Sequence, residues 1–505
     1  MSDGPIDERA RRIAKLDALR AAGIDPYPVR FDRTHTAAEV HEHWADIEDG
    51  SETADEVRVA GRLLLVRRQG KLTFATLRDG TGSVQLFVSH SEVGGDMHEA
   101  FDDLDLGDWI GASGTVMRTK KGELSVKVRD FVLLAKALRP LPEKWHGLSD
   151  VDTRFRQRYV DLIANDDARR VFAIRFAVIA TIRRVLAEHG FVEVETPVLH
   201  VQAGGATAKP FDTYHNALDM PLVLRIALEL HLKRLIVGGL ERVFEIGRVF
   251  RNEGLSTRHN PEFTMLELYQ AFADYTDMMS IAEELVSQCA RDAIGTTVVE
   301  VEGVTIDLTP PWPRRPMLEL IKEHAGVDVH PANALADLER ACDDARVPHE
   351  PGWGPGKLVL ELYEKTVEPN LVGPVFVIDY PREVSPLART HRSDPDLVER
   401  FEPVVLGREL GNAFSELNDP IDQLERFEAQ AKLAAAGDDE AHGVDADYVR
   451  ALEYGLPPCG GLGIGIDRLV MLIAGVTTIR EVILFPHLRP EAGHDEPPAG
   501  GENQL

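Results

Sequence analysis

Cysteine is scarce. The 505 residues hold only Cys289, Cys342 and Cys459, far apart and with no CxxC pair. That excludes a disulfide framework and a cysteine-built zinc site. The three are expected as buried thiols in a reducing compartment. No apolar run is long enough to span a bilayer. The N-terminus carries Asp3, Asp7, Glu8, Arg9, Arg11 and Arg12 where a secretory signal needs an apolar core. The expected location is therefore the cytoplasm. Positive charge is also in deficit: 56 Lys and Arg against 84 Asp and Glu leave a net charge of -28. Such a balance argues against a broad nucleic-acid-binding surface. The deficit is uneven, however. Residues 57–145 hold 14 Lys/Arg against 11 Asp/Glu, so this stretch is +3 and the rest is -31. A basic contact surface there stays open beside a plain solvated face of mixed charge.

The length suits two or three domains. Residues 8–22 read as a short basic helix closed by Gly23, Pro26 and Pro28, and Thr36 to Trp44 as a second. From Val57 the pattern turns to strands: 57–65, 72–77, 83–88, 109–116 and 124–128, with a hairpin signal at Asp79-Gly-Thr-Gly82. A helical stretch, Asp96 to Leu104, falls between the third and fourth. Five strands with that helix placement predict an oligonucleotide-binding (OB) barrel. Ala168 to His189 reads as an amphipathic helix stopped by Gly190. Phe191 to Leu199 alternates as a strand that Pro197 confines to an edge or a bulge. Helix-like pieces at 278–293 and 335–345 lie among proline-rich loops, and strand patterns return from Val375 to Pro486.

The most informative stretch runs from Arg251 to Tyr269, a strand–loop–strand holding Arg251, Glu253, His259, Asn260, Phe263, Glu267 and Tyr269. A site for a triphosphate, a flat base and a charged small molecule needs such a mixture. Arg251 can grip a phosphate and neutralise charge growing on it; Phe263 offers a stacking face. Glu402 and Glu409 flank a turn at Leu406-Gly407, which sets Val404 opposite Glu409 and both glutamates on one face. Paired carboxylates beside phosphates suit magnesium. Gly461-Leu-Gly-Ile-Gly-Ile-Asp-Arg468 reads as a strand whose glycines let a base approach, followed by a helix presenting Arg468. Glu229, Glu267 and Glu416, with Tyr269, suit a substrate carrying two ammonium groups. Taken singly, each acid also fits an ordinary ion pair and each phenylalanine a core position.

Several segments occur in the order of one known family: Arg156-Gln-Arg-Tyr-Val-Asp-Leu-Ile, Ala203-Gly-Gly-Ala-Thr-Ala-Lys-Pro-Phe, Phe250-Arg-Asn-Glu-Gly, His259-Asn-Pro-Glu-Phe-Thr-Met, Asn412-Ala-Phe-Ser-Glu-Leu-Asn-Asp and Gly463-Ile-Gly-Ile-Asp-Arg. Across about residues 20–490 the chain resembles the bacterial lysyl-tRNA synthetases, a class II aminoacyl-tRNA synthetase family. The resemblance implies an α+β fold: a helical extension (1–55), an OB anticodon-binding barrel (56–137), a linker (138–155), a class II catalytic domain (156–490, with an insertion at about 274–374) and a disordered tail (491–505). It implies ATP, L-lysine and tRNA(Lys) as substrates, magnesium as cofactor (about three ions with ATP), a homodimer and no membrane. Arg251 and Arg468 would be catalytic. Glu253, His259, Asn260, Phe263 and Glu402 would join them on ATP, and Glu402 and Glu409 would hold metal. Gly205, Glu229, Glu267, Tyr269, Asn412 and Glu416 would hold lysine. Arg67, Arg68, Phe74, Gln85 and Glu123 would meet the anticodon; Phe74 is expected to stack on a base and Phe87 to lie in the barrel core. Leu228, Val223, His231 and Pro403 depart from the family pattern. The rivals are a protein-lysylating relative, an aspartate or asparagine enzyme of the same subgroup, and a non-catalytic RNA-binding paralogue.

Overall fold

The computed structural model describes residues 5–142, 148, 150–206, 208–435 and 443–489. The expected tail at 491–505 and part of the expected linker lie outside the described residues. Two compact units are present, residues 1–149 and 150–505.

In the first unit, β1 (Glu52–Gln69), β2 (Leu72–Arg78), β3 (Ser83–Ser89), β4 (Trp109–Arg118) and β5 (Leu124–Ala135) close into a barrel in the order β1-β2-β3-β5-β4. Val84, Leu86 and Val88 alternate inward with Ala75 and Leu77, as a pleat of period two requires. The outer strands run longer than their apolar patterns because register shifts, as between Ser113 and Gly114, bend them around the barrel. Gly114 permits the closest approach: a Cβ there would lie 1.9 Å from the Lys127 carbonyl oxygen. The Gly95–Asp102 helix inserts the fully buried Phe101 into the same core. Within the expected 1–55 extension, one helix packs on the barrel. The Ala37–His43 helix, closed by a capping box from Thr36 and Glu39, buries Ala37 and Val40 in the barrel core. A helix of two turns gains its stability from that packing rather than from propensity.

The second unit is built on an eight-stranded sheet in the order β14-β15-β16-β17-β18-β11-β10-β6. Its centre is antiparallel: β15 (Val375–Pro381), β16 (Leu397–Val404), β17 (Gly411–Ser415), β18 (Cys459–Gly465), β11 (Glu262–Ala271) and β10 (Arg242–Phe250). β14 (Arg314–Pro316) and β6 (Val192–Glu193) pair parallel at the two edges. The Asp166–Glu188, Tyr275–Ile294 and Ile466–Ala474 helices share one core with Leu266, Leu268, Phe401, Ala413, Leu462 and Ile464. Those six residues therefore define the covered face.

One expectation needs correction. Phe191 to Leu199 is not one strand. β6 ends at Glu193, and Leu199–His200 joins a separate three-stranded sheet with Met220–Leu224 and Asp212–His215. Pro197 sits in the break, where its missing N–H leaves no ladder bond to lose. The expected insertion at about 274–374 falls between β11 and β15 and is packed into the fold. The Tyr275–Ile294 helix buries Met278, Met279, Ala282 and Leu285 in the main core, and β14 completes the sheet edge. Proline-rich connections masked this, because they carry no periodicity of their own.

Candidate active site

The opposite face of the sheet is set by alternation. If Leu266 and Leu268 point to the helices, then Met265, Glu267 and Tyr269 point away. The same reasoning puts Gly461, Gly463 and Gly465 of β18, Asn412 and Phe414 of β17, and Arg400 and Glu402 of β16 on that side. All of them line one cavity of ≈ 400 Å³. Gly463 lies between Glu267 and Asn412, and Gly461 between Tyr269 and Phe414, in register. Glycine at 461 keeps the cavity open. A Cβ there would meet Glu416 Oε1 at 2.0 Å and the Tyr269 ring at 2.5 Å. The glycines thus make room for side chains at least as much as for a base.

One end of the cavity combines arginines with a pair of carboxylates. Arg251 follows β10, and its backbone N–H donates to the Pro261 carbonyl at 2.8 Å, closing the loop that carries Glu253 and His259. Its guanidinium lies over the Phe263 ring at 5.2 Å, and burial lowers its pKa. His259 is held by Ser256 Oγ at 3.0 Å from Nδ1. Asn260 is buried, donates to the Glu262 carbonyl at 2.6 Å and accepts from the His487 N–H at 3.3 Å, so its amide orders backbone. Arg468, in the first turn of the Ile466–Ala474 helix, donates to the Glu409 carbonyl at 2.8 Å and reaches its carboxylate at 3.2 Å. Phe263 is stacked by Arg251, and Arg468 is drawn to Glu409.

Val404 bridges Glu409 across a turn at Leu406 and Gly407, both with positive φ (53° and 61°). That is the geometry two-residue hairpins favour. Leu406 is held there by backbone bonds to Val372 and, through Gly407, to Leu371. Glu402 is pushed up to about 7, first by burial and then by the charge on Glu409. A divalent cation between the two carboxylates would relieve that repulsion. Among the described residues no group of three or more His, Cys, Asp or Glu forms a metal site. A pair nevertheless fits magnesium, which keeps its waters and takes one or two carboxylates plus phosphate oxygens.

The other end is acidic. The Glu267 carboxylate accepts from the Leu228 N–H at 3.1 Å and from the Tyr269 hydroxyl at 3.2 Å. Burial, then the charge of Glu229, raises it to about 7. Glu416 is pushed up to about 8, again by burial first. Leu228 matters through its backbone, since a proline at that position would have no N–H for Glu267. Gly205, at φ +86°, lets the 203–206 loop close on Ala227 and Glu229, whose Cβ atoms would lie 3.1 and 3.3 Å from a Cβ there. The His231 ring lies against His200 at 4.5 Å, whereas Val223 pairs with Asp212 and His200 in the small sheet. Pro403 lies opposite Phe376 in the sheet, and its carbonyl accepts from the Leu410 N–H at 2.8 Å.

Two residues escaped the sequence reading. Arg400 donates to Asn412 Oδ1 at 2.8 Å and Glu402 Oε1 at 2.5 Å while lying on the Tyr380 ring at 4.5 Å. It stands two residues before Glu402, so the period-two rule already put it on this face. Lys233, wholly buried, pairs with Glu229 at 2.6 Å and also with Glu416. Its signal was the i,i+4 spacing from Glu229.

On the barrel, Phe74 and Phe87 stand side by side on the outer wall, edge to face at 5.4 Å. Phe87 is thus not core, contrary to expectation, because Leu86 and Val88 take the inward positions. Gln85 shares the outer face and donates to Ser125 Oγ at 2.9 Å. Arg67 is exposed opposite Phe74, and Glu123 is exposed ahead of β5. Arg68 is tied to Asp102, 3.4 Å from its carboxylate, at the end of the Gly95–Asp102 helix.

An antiparallel sheet carrying arginines, paired carboxylates and an acid pocket on one face, with an OB barrel as a second unit, defines a class II tRNA synthetase. The profile described as tRNA synthetases class II (D, K and N) matches residues 150–489, and that of the OB-fold nucleic acid binding domain matches 57–134. The chain is 55% identical over 485 residues to the lysine–tRNA ligase of Moorella thermoacetica, covering 96% of this chain and 98% of that one. It is 52% identical to that of Bacillus subtilis (96% and 97% covered) and 52% to that of Thermosynechococcus vestitus (98% of both). The chain belongs to the lysine–tRNA ligase family.

Proposed function

We propose that this chain activates L-lysine with ATP to lysyl-adenylate and transfers the lysyl group to the 3' end of tRNA(Lys). The observation that carries the substrate assignment is the cavity's polarity: buried carboxylates at one end, arginines with a carboxylate pair at the other. Glu229 and Gly205 hold the α-ammonium; Glu267, Tyr269 and Glu416 take the ε-ammonium. Arg251, assisted by Asn412, aligns the lysine carboxylate with the α-phosphate and neutralises the charge that grows there. Glu253, His259, Asn260 and Phe263 seat the nucleotide, and Arg468 releases Glu409 to cover it. Glu402 and Glu409 would hold magnesium, about three ions with ATP, and the metal would supply positive charge against the phosphates. With no side chain serving as covalent nucleophile, rate comes from alignment and charge stabilisation.

On the barrel, Phe74 and Phe87 offer stacking faces for anticodon bases, with Arg67, Gln85 and Glu123 to read or position them. A cytoplasmic homodimer completes the reading. Its support is three buried free thiols and exposed apolar residues on the first elements of the catalytic unit, Tyr159, Phe176, Val192 and Val201. No helix among the described residues is long and apolar enough to cross a membrane. The test pairs lysine-dependent exchange of pyrophosphate into ATP with charging of tRNA(Lys). Both are expected, and both are lost in Glu409→Ala. Absence of lysine-dependent exchange in the wild type refutes the assignment; exchange without tRNA charging favours a protein-lysylating role.

A further inference from the structure

The acid end of the cavity holds three carboxylates but already contains an ammonium of its own. Lys233 has no solvent exposure, and its Nζ lies between Glu229, at 2.6 Å, and Glu416. The rings of Phe414, Tyr448 and Tyr269 enclose it at 5.4, 5.8 and 6.0 Å. Burial alone would discharge such an amine, yet the two carboxylates hold its pKa well above the ordinary lysine range. Lys233 meets Glu416 through Oε2; Oε1 finds no hydrogen-bond partner among the described residues, and Glu416 lines the cavity. Its acceptor capacity is therefore not used up by Lys233.

We propose that Lys233 determines specificity: it cancels one of the three carboxylates of Glu229, Glu267 and Glu416 and leaves two negative charges, the number that a diammonium amino acid neutralises. This deepens the lysine reading and rests on it. A buried charge is tolerated only when paired. With Lys233 in place, lysine completes the balance, since its own carboxylate is matched by Arg251. An amino acid with one ammonium leaves one carboxylate unpaired, and the site rejects it for that reason. Without Lys233, three carboxylates would face two ammoniums, and lysine itself would leave one unpaired. Lys233 needs no contact with the substrate; it acts through Glu229 and Glu416 and is a positioning residue.

The test is a charge-balance cycle read by exchange kinetics. Lys233→Met is expected to lower kcat/KM for lysine by about a hundredfold while KM for ATP stays within about threefold. Glu416→Gln is expected to lose a similar factor and to weaken discrimination against norleucine, which has lysine's four side-chain carbons without the ammonium. The double variant Lys233→Met/Glu416→Gln restores two carboxylates for two ammoniums. It is expected to be at least about tenfold more active than the product of the single losses. Its preference for lysine over norleucine should exceed that of Glu416→Gln, and its ligand-free melting temperature that of Lys233→Met. Losses that multiply, or a double variant that does not fold, overturn the proposal, because Lys233 then serves packing alone. If Lys233→Met does not fold, comparison of the double variant with Glu416→Gln carries the test: a double variant less active than Glu416→Gln refutes it. Absence of exchange with lysine in the wild type marks failure of the lysine reading itself, whatever the variants do.

Discussion

At one end of the cavity, Arg251 and Arg468 face Glu402 and Glu409 across an open floor of glycines. At the other, Glu229, Glu267 and Glu416 surround a single buried Lys233. The first end pairs each acid with an arginine: Arg468 holds Glu409 and Arg400 holds Glu402. Those pairs can exchange for a triphosphate and its cation. Both ends keep raised carboxylates: burial above all takes Glu402 to about 7 at the first, and Glu267 and Glu416 to about 7 and about 8 at the second. Strain of this kind at a site is expected where ligand charge completes the structure. In the proposed function the arginine end responds to charge developing during reaction, whereas the acid end selects what enters.

The comparison breaks first at Arg251. Arg251→Ala is expected to lower the exchange rate by about 10²–10³-fold or more, with a melting temperature close to wild type; a loss confined to lysine KM would erase the division between the ends. Glu416→Gln should reduce lysine affinity by about a hundredfold and leave ATP KM within about threefold; equal losses for both substrates would refute the assigned division. Phe74→Ala removes one stacking face, worth about 1–3 kcal/mol per base. It should raise KM for tRNA by about tenfold without touching exchange, and an effect on exchange would deny the barrel its separate role.

The smallest effect is a pH dependence. Glu267 and Glu416 have raised pKa values in the ligand-free protein, so the folded state holds protons that the unfolded chain has released above about 4.5. Their contribution to stability is full below that value and is lost as pH rises through 7 and 8. Lysine binding reverses this by pairing the ionised forms. The melting shift produced by lysine should therefore grow from pH 6 to 8.5, and kcat/KM for lysine should fall on acidification through 8 and 7. Leu228→Pro removes a donor that stabilises ionised Glu267 and should move the lower limb of that profile upward by a fraction of a unit; an unchanged profile would show that the amide contributes nothing.

Much of the fold was legible in the chain. Period-two alternation in 72–88 and 243–269 and helical spacing in 168–189 are local, and the structure keeps them. The turn at Leu406-Gly407 was readable because two-residue hairpins dictate which residues face each other. Phe87 was misplaced because a lone phenylalanine in an alternating strand does not announce which parity is inward; Leu86 and Val88 decide it only once the barrel closes. Strand β14 was not legible within the 274–374 span because it is three residues long and gains its identity from β15, some sixty residues away.

The sequence by itself determined the periodic elements, the turn chemistry and the residue types that phosphate, magnesium and ammonium groups require, since each follows from interactions within a few residues. Only the tertiary structure decided the charge balance of the acid pocket. Glu229 and Lys233 are a helical i,i+4 pair that any surface helix carries. Glu416, from the loop after a strand nearly two hundred residues later, turns that pair into a buried triad. Burial strengthens every charge interaction there by removing water, and burial belongs to the assembled sheet.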